Sequence, residues 1–174
     1  MPRLESNQNR SWPPRLRLSR KHYRGVGCSL SRAARLKEIA ARVKDEFGGN
    51  LRAALVGPTA RVRKTLKSFP GIGDPGADRI FLFAGLAPVA AIPSNFPYVV
   101  ERLIHGRESE NYVLGYREAQ RAIEAEVPEK FDARVRAYLL LKRHGQEICK
   151  RTNPKCEQCP VSASCVFFKE NRRN

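Results

Sequence analysis

The sequence predicts an all-α fold that ends in a metal-binding loop, and three observations carry that expectation. Apolar residues recur at helical spacing along most of the chain, and no stretch reads convincingly as a strand. A Pro-Gly-apolar-Gly turn, Pro70-Gly71-Ile72-Gly73, joins two of the helical segments. Four of the five cysteines fall between Cys149 and Cys165, spaced C-x6-C-x2-C-x5-C, which the packing of a helix or strand does not call for.

Composition bounds the partners. The 174 residues suit one domain with an appendage, and 41% hydrophobic content indicates a folded core rather than a basic tail. Lys and Arg number 33 against 17 Asp and Glu, a net charge of +16, so the surface should attract polyanions, with nucleic acid ahead of a generic basic role. The longest nearly apolar run, residues 81–92, is broken by Gly85 and Pro88 and is too short to span a bilayer, so no membrane contact is expected. Residues 1–24 are Arg-rich with Glu5 as their one acid, a composition that weakly resembles an organellar transit segment. Trp12-Pro13-Pro14 argues against a clean amphipathic helix there, so the cytoplasm, on the nucleoid, is the expected location.

The elements follow in order. Residues 1–27 form a basic arm, 28–145 a helical domain, and 146–174 the cysteine loop with a basic tail. A helix from Ser29 or Ser31 places Leu36, Ile39, Ala40, Val43 and Phe47 on one face and stops at Gly48-Gly49-Asn50. A second, Thr59 to Lys67, turns Val62, Leu66 and Phe69 inward. In the turn that follows, glycines permit a tight reversal while Ile72 plugs the core; Asp74 is a natural N-cap and Pro75 a natural first helical residue. Amides exposed beside a helix N-terminus can hold one phosphate without reading sequence. Helices are then expected over 98–104, over 111–126, and over 129–144 opened by Pro128, the last with Phe131, Val135, Tyr138 and Leu139 on one face. Asp78 and Glu101 read as solvated helix charges, and Cys28 as a small buried side chain or an idle thiol.

The cysteine loop carries the chemistry. Four thiolates on so short a segment can wrap one compact, soft acceptor, either a 4Fe-4S cluster or a zinc ion. Zinc ribbons usually pair two CxxC knuckles, whereas Cys156 and Cys159 form one CxxC flanked by the single Cys149 and Cys165, which favours the cluster. Disulfides would need an oxidising compartment. With zinc in place of a cluster, His144 could join Cys149 as a ligand.

This spacing near a C-terminus resembles the cluster loop of the endonuclease III type of DNA glycosylase, in the helix-hairpin-helix superfamily. Phe69-Pro-Gly-Ile-Gly-Asp-Pro-Gly76 resembles that family's hairpin. The resemblance, over roughly residues 29–168, implies an all-α glycosylase-like domain that acts as a monomer on double-stranded DNA in base-excision repair. It places Phe69, Pro70, Gly71, Ile72, Gly73 and Gly76 on the phosphates, with Lys150, Arg151 and Lys155 of the cluster loop beside them. It also implies two catalytic positions that this chain does not fill. The family's Schiff-base Lys, two residues after the second hairpin Gly, is Pro75 here. Its Asp, in an Asp-x-Asn or Asp-x-His pattern ahead of an apolar helix containing Arg, falls on Pro93 when Asn95 and Arg102 are kept in register.

The expectation is therefore a DNA-binding relative in which catalysis is lost. Its alternatives are a monofunctional glycosylase using another acid, and a basic zinc module unrelated to repair. Family members also carry helices ahead of the first one here, so either the chain is a shortened relative or an upstream portion precedes Met1.

Overall fold

The computed structural model describes residues 30–171; the basic arm, Cys28 and the last three residues lie outside them. Seven α-helices follow one another: α1 Leu30–Phe47, α2 Thr59–Ser68, α3 Asp74–Phe83, α4 Pro97–His105, α5 Tyr112–Glu126, α6 Phe131–Glu147 and α7 Val166–Asn171. Short 3-10 turns lie at Leu51–Leu55, Cys156–Gln158 and Ser162–Ser164, and there is no strand among the described residues. The all-α expectation holds. No helix there is long and apolar enough to cross a membrane.

Local chemistry explains the boundaries. Asn50 caps the first 3-10 turn by accepting the Arg52 amide, and Asn111 caps α5 by accepting the amides of Val113 and Leu114 at 2.9 and 3.2 Å. Gly106 ends α4 in the left-handed region, at φ +71°. Two expected starts move. The N-cap of α3 is Gly73, with Asp74 already helical and its carboxylate paired to Lys67 at 2.6 Å instead of capping. Pro128 does not open α6, which begins at Phe131 after Lys130; the Pro128 carbonyl is taken by the Lys130 amide and Arg134.

Three small apolar clusters make the core. Val62, Leu66, Ala77 and Phe81 lock α2 against α3, with Ile72 of the turn packed beside them as expected. Ile92, Val100, Tyr116 and Ala119 join α4 to α5, and Leu82, Ala91 and Tyr138 bring in α6. The irregular connection after α3 feeds all three through Val89, Ala91 and Ile92. Full burial of Phe81, Leu82 and Ile92 contributes about 1.5–3 kcal/mol each.

Apolar periodicity overstates burial in places. On α6, Leu139 is half exposed and Phe131 is exposed, so the predicted face is only partly covered. On α1, Leu36 is 61% exposed, because that helix is held by its second half. There Arg42 bonds the Ser68 carbonyl and hydroxyl, and Phe47 meets Phe69 at 6.1 Å between ring centroids.

Candidate metal centre and nucleic-acid interface

Helix α6 delivers the chain to the cysteine loop and α7 closes it against α4. All four cysteines are free thiols and half-buried. With Val99, Leu103, Leu140, Leu141 and Ile148 they line one largely apolar cavity of about 540 Å³. Among the described residues no three His, Cys, Asp or Glu side chains converge tightly enough to hold a single ion. The four cysteines lie together on the lining of that one cavity. Burial pushes the Cys149 and Cys156 thiols above the ordinary range, opposed by Arg102, most strongly at Cys149, and aided at both by the neighbouring cysteines. Those two thiols resist ionising on their own; bound iron would supply the missing positive charge.

The residues around the loop fit that group. Arg102 of α4 is 5% exposed, and its guanidinium is built into the loop. Nη1 lies 3.8 Å from Cys149 Sγ and donates to the Lys150 carbonyl at 2.9 Å; Nη2 donates to the Arg151 carbonyl and to Glu108. The same guanidinium stacks between the Tyr98 and Phe167 rings, 4.9 and 4.7 Å from their centroids. Cys165 Sγ lies 3.7 Å from the Arg102 carbonyl. Arg102 Nε is the one buried side-chain donor or acceptor without a partner among the described residues, on a side chain that lines the cavity. From α6, His144 Nε2 stands 3.7 Å from Cys159 Sγ, and burial lowers the pKa of the imidazole, which favours its neutral form. The sequence reading had set His144 beside Cys149; its ring lies against Cys159. Tyr98 Oη donates to the Cys149 carbonyl at 2.8 Å.

The hairpin forms as the sequence predicts. Gly71, at φ +83°, is in the left-handed region that a side chain would strain, and the Ile72 amide closes the turn onto the Phe69 carbonyl at 3.1 Å. Gly71 and Gly73 are exposed, and neither amide makes a backbone hydrogen bond among the described residues. A Cβ on Gly76 would meet Ile72 Cγ2 at 3.3 Å, so α3 starts tight against the turn. Phe69 is buried, behind the surface it was expected to contribute to. Pro70 is half-buried. Lys150, Arg151 and Lys155 are exposed on the loop, although Arg151 also reaches Glu108 at 3.4 Å and lies over Tyr98.

Neither proline position offers chemistry. Pro75 sits in the first turn of α3 with no ionisable group, and Pro93 is buried in a turn closed by the Phe96 amide on its carbonyl at 2.8 Å. Ser94 and Asn95 are exposed beside it.

The acids expected to be solvated are not. Asp78 is 1% exposed; its carboxylate takes Arg63 at 2.5 Å, Tyr116 Oη at 2.9 Å and Gln120 at 3.3 Å. Burial, reinforced by Asp78, raises the Tyr116 pKa and keeps its phenol a donor. Glu101 is 5% exposed and accepts the Ser109 amide at 3.0 Å; a Cβ on Gly115 would meet its Oε1 at 2.6 Å, so α5 approaches α4 over a bare glycine. Helical spacing shows neither, because the partners lie on other helices or, for Ser109, in the connection between α4 and α5.

Burial lifts the Glu101 carboxyl above the usual range, opposed by the Ser109 amide and His105 and aided by Glu118 and Glu108. A carboxyl with a raised folded-state pKa favours folding at low pH. That contribution fades as pH climbs from the ordinary carboxylate value through the raised one. Glu101→Gln should therefore flatten the stability curve over that interval and raise stability at neutral pH, as read by urea unfolding across the range.

Comparison with known proteins places this geometry. Residues 149–165 match the iron-sulfur binding domain of endonuclease III, which supports an iron-sulfur cluster at the loop where the four cysteines lie. The thymine/uracil-DNA glycosylase of Methanothermobacter thermautotrophicus is 28% identical over 151 residues, covering 86% of this chain and 63% of that protein. The fold is similar to that of a non-covalent endonuclease III–DNA complex, with TM-score 0.61 at 22% identity over 82% of this chain and 60% of that one. It is also similar to that of a thermostable thymine-DNA glycosylase, with TM-score 0.60 at 25% identity over 86% of this chain and 64% of that one. The chain thus spans under two thirds of the length of these proteins.

Proposed function

We propose, from the premise that this chain shares its fold and its cluster loop with the endonuclease III type of helix-hairpin-helix DNA glycosylases, that it binds double-stranded DNA without breaking the glycosidic bond by that family's route. The observation that carries the binding is the exposed turn at Gly71 and Gly73, which offers main-chain donors beside the N-terminus of α3. Lys150 and Lys155 extend the contact along the backbone, and the net charge of +16 supplies attraction that does not depend on sequence. One chain is sufficient for this grip, so the protein is expected to act as a monomer. When bound, the cluster supplies a rigid inorganic core for the loop that presents those lysines.

Affinity should then fall steeply with salt. Each phosphate contact contributes roughly 0.9 to the slope of log K against log salt, so removing Lys150 and Lys155 together should lower that slope by about 2. Fluorescence anisotropy with an undamaged duplex measures both, and binding indifferent to salt would refute the phosphate grip.

Loss of catalysis rests on Pro75 and Pro93, and the buried acids give no substitute. Asp78 has its oxygens engaged by three partners, and Glu101 is held by Ser109 under Gly115. Single-turnover base release from a panel of damaged duplexes should be at background for the unaltered chain. A Pro93→Asp variant, given back a carboxylate for the developing sugar charge, should exceed it by about a hundredfold or more. Release by the unaltered chain would instead establish an active glycosylase with a different acid.

A further inference from the structure

Two residues each touch two of the four cysteines, and they come from different helices. Arg102 of α4 meets Cys149 with its guanidinium and Cys165 with its carbonyl. His144 of α6 holds Cys149 through the main chain, its carbonyl accepting the Cys149 amide at 2.8 Å, while its ring reaches Cys159 Sγ at 3.7 Å. His144 therefore ties the first ligand of the loop to the third, across the nine residues between them.

We propose that His144 is a positioning residue for the iron-sulfur cluster, its Nε2–H donating to the Cys159 thiolate and thereby setting both the reduction potential and the retention of the cluster. The proposal rests on the iron-sulfur assignment of residues 149–165. A cysteine bound to iron is a thiolate and can only accept a hydrogen bond, so the imidazole must present its N–H. The ring is half-buried in the cavity wall, where water does not compete freely for that proton. An N–H donated to a ligating sulfur stabilises the more negatively charged, reduced cluster more than the oxidised one, and so raises its potential. Arg102 applies the same kind of donation at Cys149, but it also bonds two loop carbonyls, whereas the ring of His144 reaches the sulfur alone.

The test compares the unaltered protein with His144→Leu, which removes the donor, and His144→Gln, which keeps an N–H of similar reach. Iron and sulfide are first assayed in the unaltered chain. Near four of each sets the comparison up, and a chain without iron overturns the cluster assignment itself, a failure visible before any substitution. With equal cluster content, the potential at an electrode should shift negative in His144→Leu and return most of the way in His144→Gln. Iron release to a chelator should be about tenfold faster for the Leu variant. Should His144→Leu fail to assemble a cluster, ENDOR of the unaltered, reduced protein decides. A coupled proton that exchanges in heavy water, accompanied by a coupling to nitrogen-15 placed in the histidine rings that is lost in His144→Gln, supports the proposal, and the absence of that proton overturns it. Equal potentials in all three proteins would overturn it too.

Discussion

Cys156→Ser is expected to lose the cluster and, with it, the order of the loop after α6 and of α7. The loop between α6 and α7 has only two short 3-10 turns of its own, and its backbone is held from outside by Arg102, Tyr98 and His144. Without the inorganic core, those contacts have nothing rigid to close on, and α7 loses its seat on α4. Uncovering two apolar or aromatic side chains at about 1.5–3 kcal/mol each puts the loss at about 3 kcal/mol or more. For a chain of this size that is roughly 6–12 °C in Tm. DNA affinity should fall as well, because Lys150 and Lys155 ride on the loop. Colour, calorimetry and anisotropy on one preparation check all three outcomes. A colourless Cys156→Ser protein with unchanged Tm and unchanged affinity would show that the cluster has no structural role.

Asp78→Ala is expected to cost about 3–5 kcal/mol without touching the metal. The carboxylate joins Arg63 of α2 to Tyr116 and Gln120 of α5, and Gln120 also donates to the Ala90 carbonyl at 3.1 Å. Arg63 is partly exposed and can turn to water, but the Tyr116 hydroxyl and the Gln120 amide would keep an unmet donor in the core, at about 1–3 kcal/mol each. Asp78→Asn should be milder, since its amide oxygen still accepts one of them. Urea unfolding of both variants is the measurement; a loss below about 1 kcal/mol for alanine would mean that water replaces the carboxylate.

The cysteine loop and the hairpin were legible in the sequence for the same reason. Ligand spacing and left-handed turn geometry are constraints that a handful of consecutive residues must satisfy, so Cys149 to Cys165 and Gly71 to Gly73 carry their meaning locally. The acids were not legible, because their surroundings are assembled from a distance. Asp78 meets Arg63 from one helix and Tyr116 from another, and the 3.6-residue rhythm of α3 contains neither. Arg102 served only as a register mark in the sequence. The signal that points to it is Glu101-Arg102 set inside the otherwise apolar stretch from Tyr98 to Ile104, where charge needs a partner. Pro128 misled because a proline suits the turn before a helix as well as its first residue. The exposed faces of α1 and α6 show that amphipathic spacing tells which side is apolar, without telling what covers it.

Gly145, near the end of α6, has a further consequence. Any Cβ there would run into the Phe96 ring, so that ring lies directly on the helix backbone one turn ahead of Cys149. The segment holding Pro93 to Phe96 thus takes its bearings from the helix that launches the thiolate clasp. A carboxylate placed at residue 93, as in the Pro93→Asp variant, would stand on a foundation that this helix already aligns.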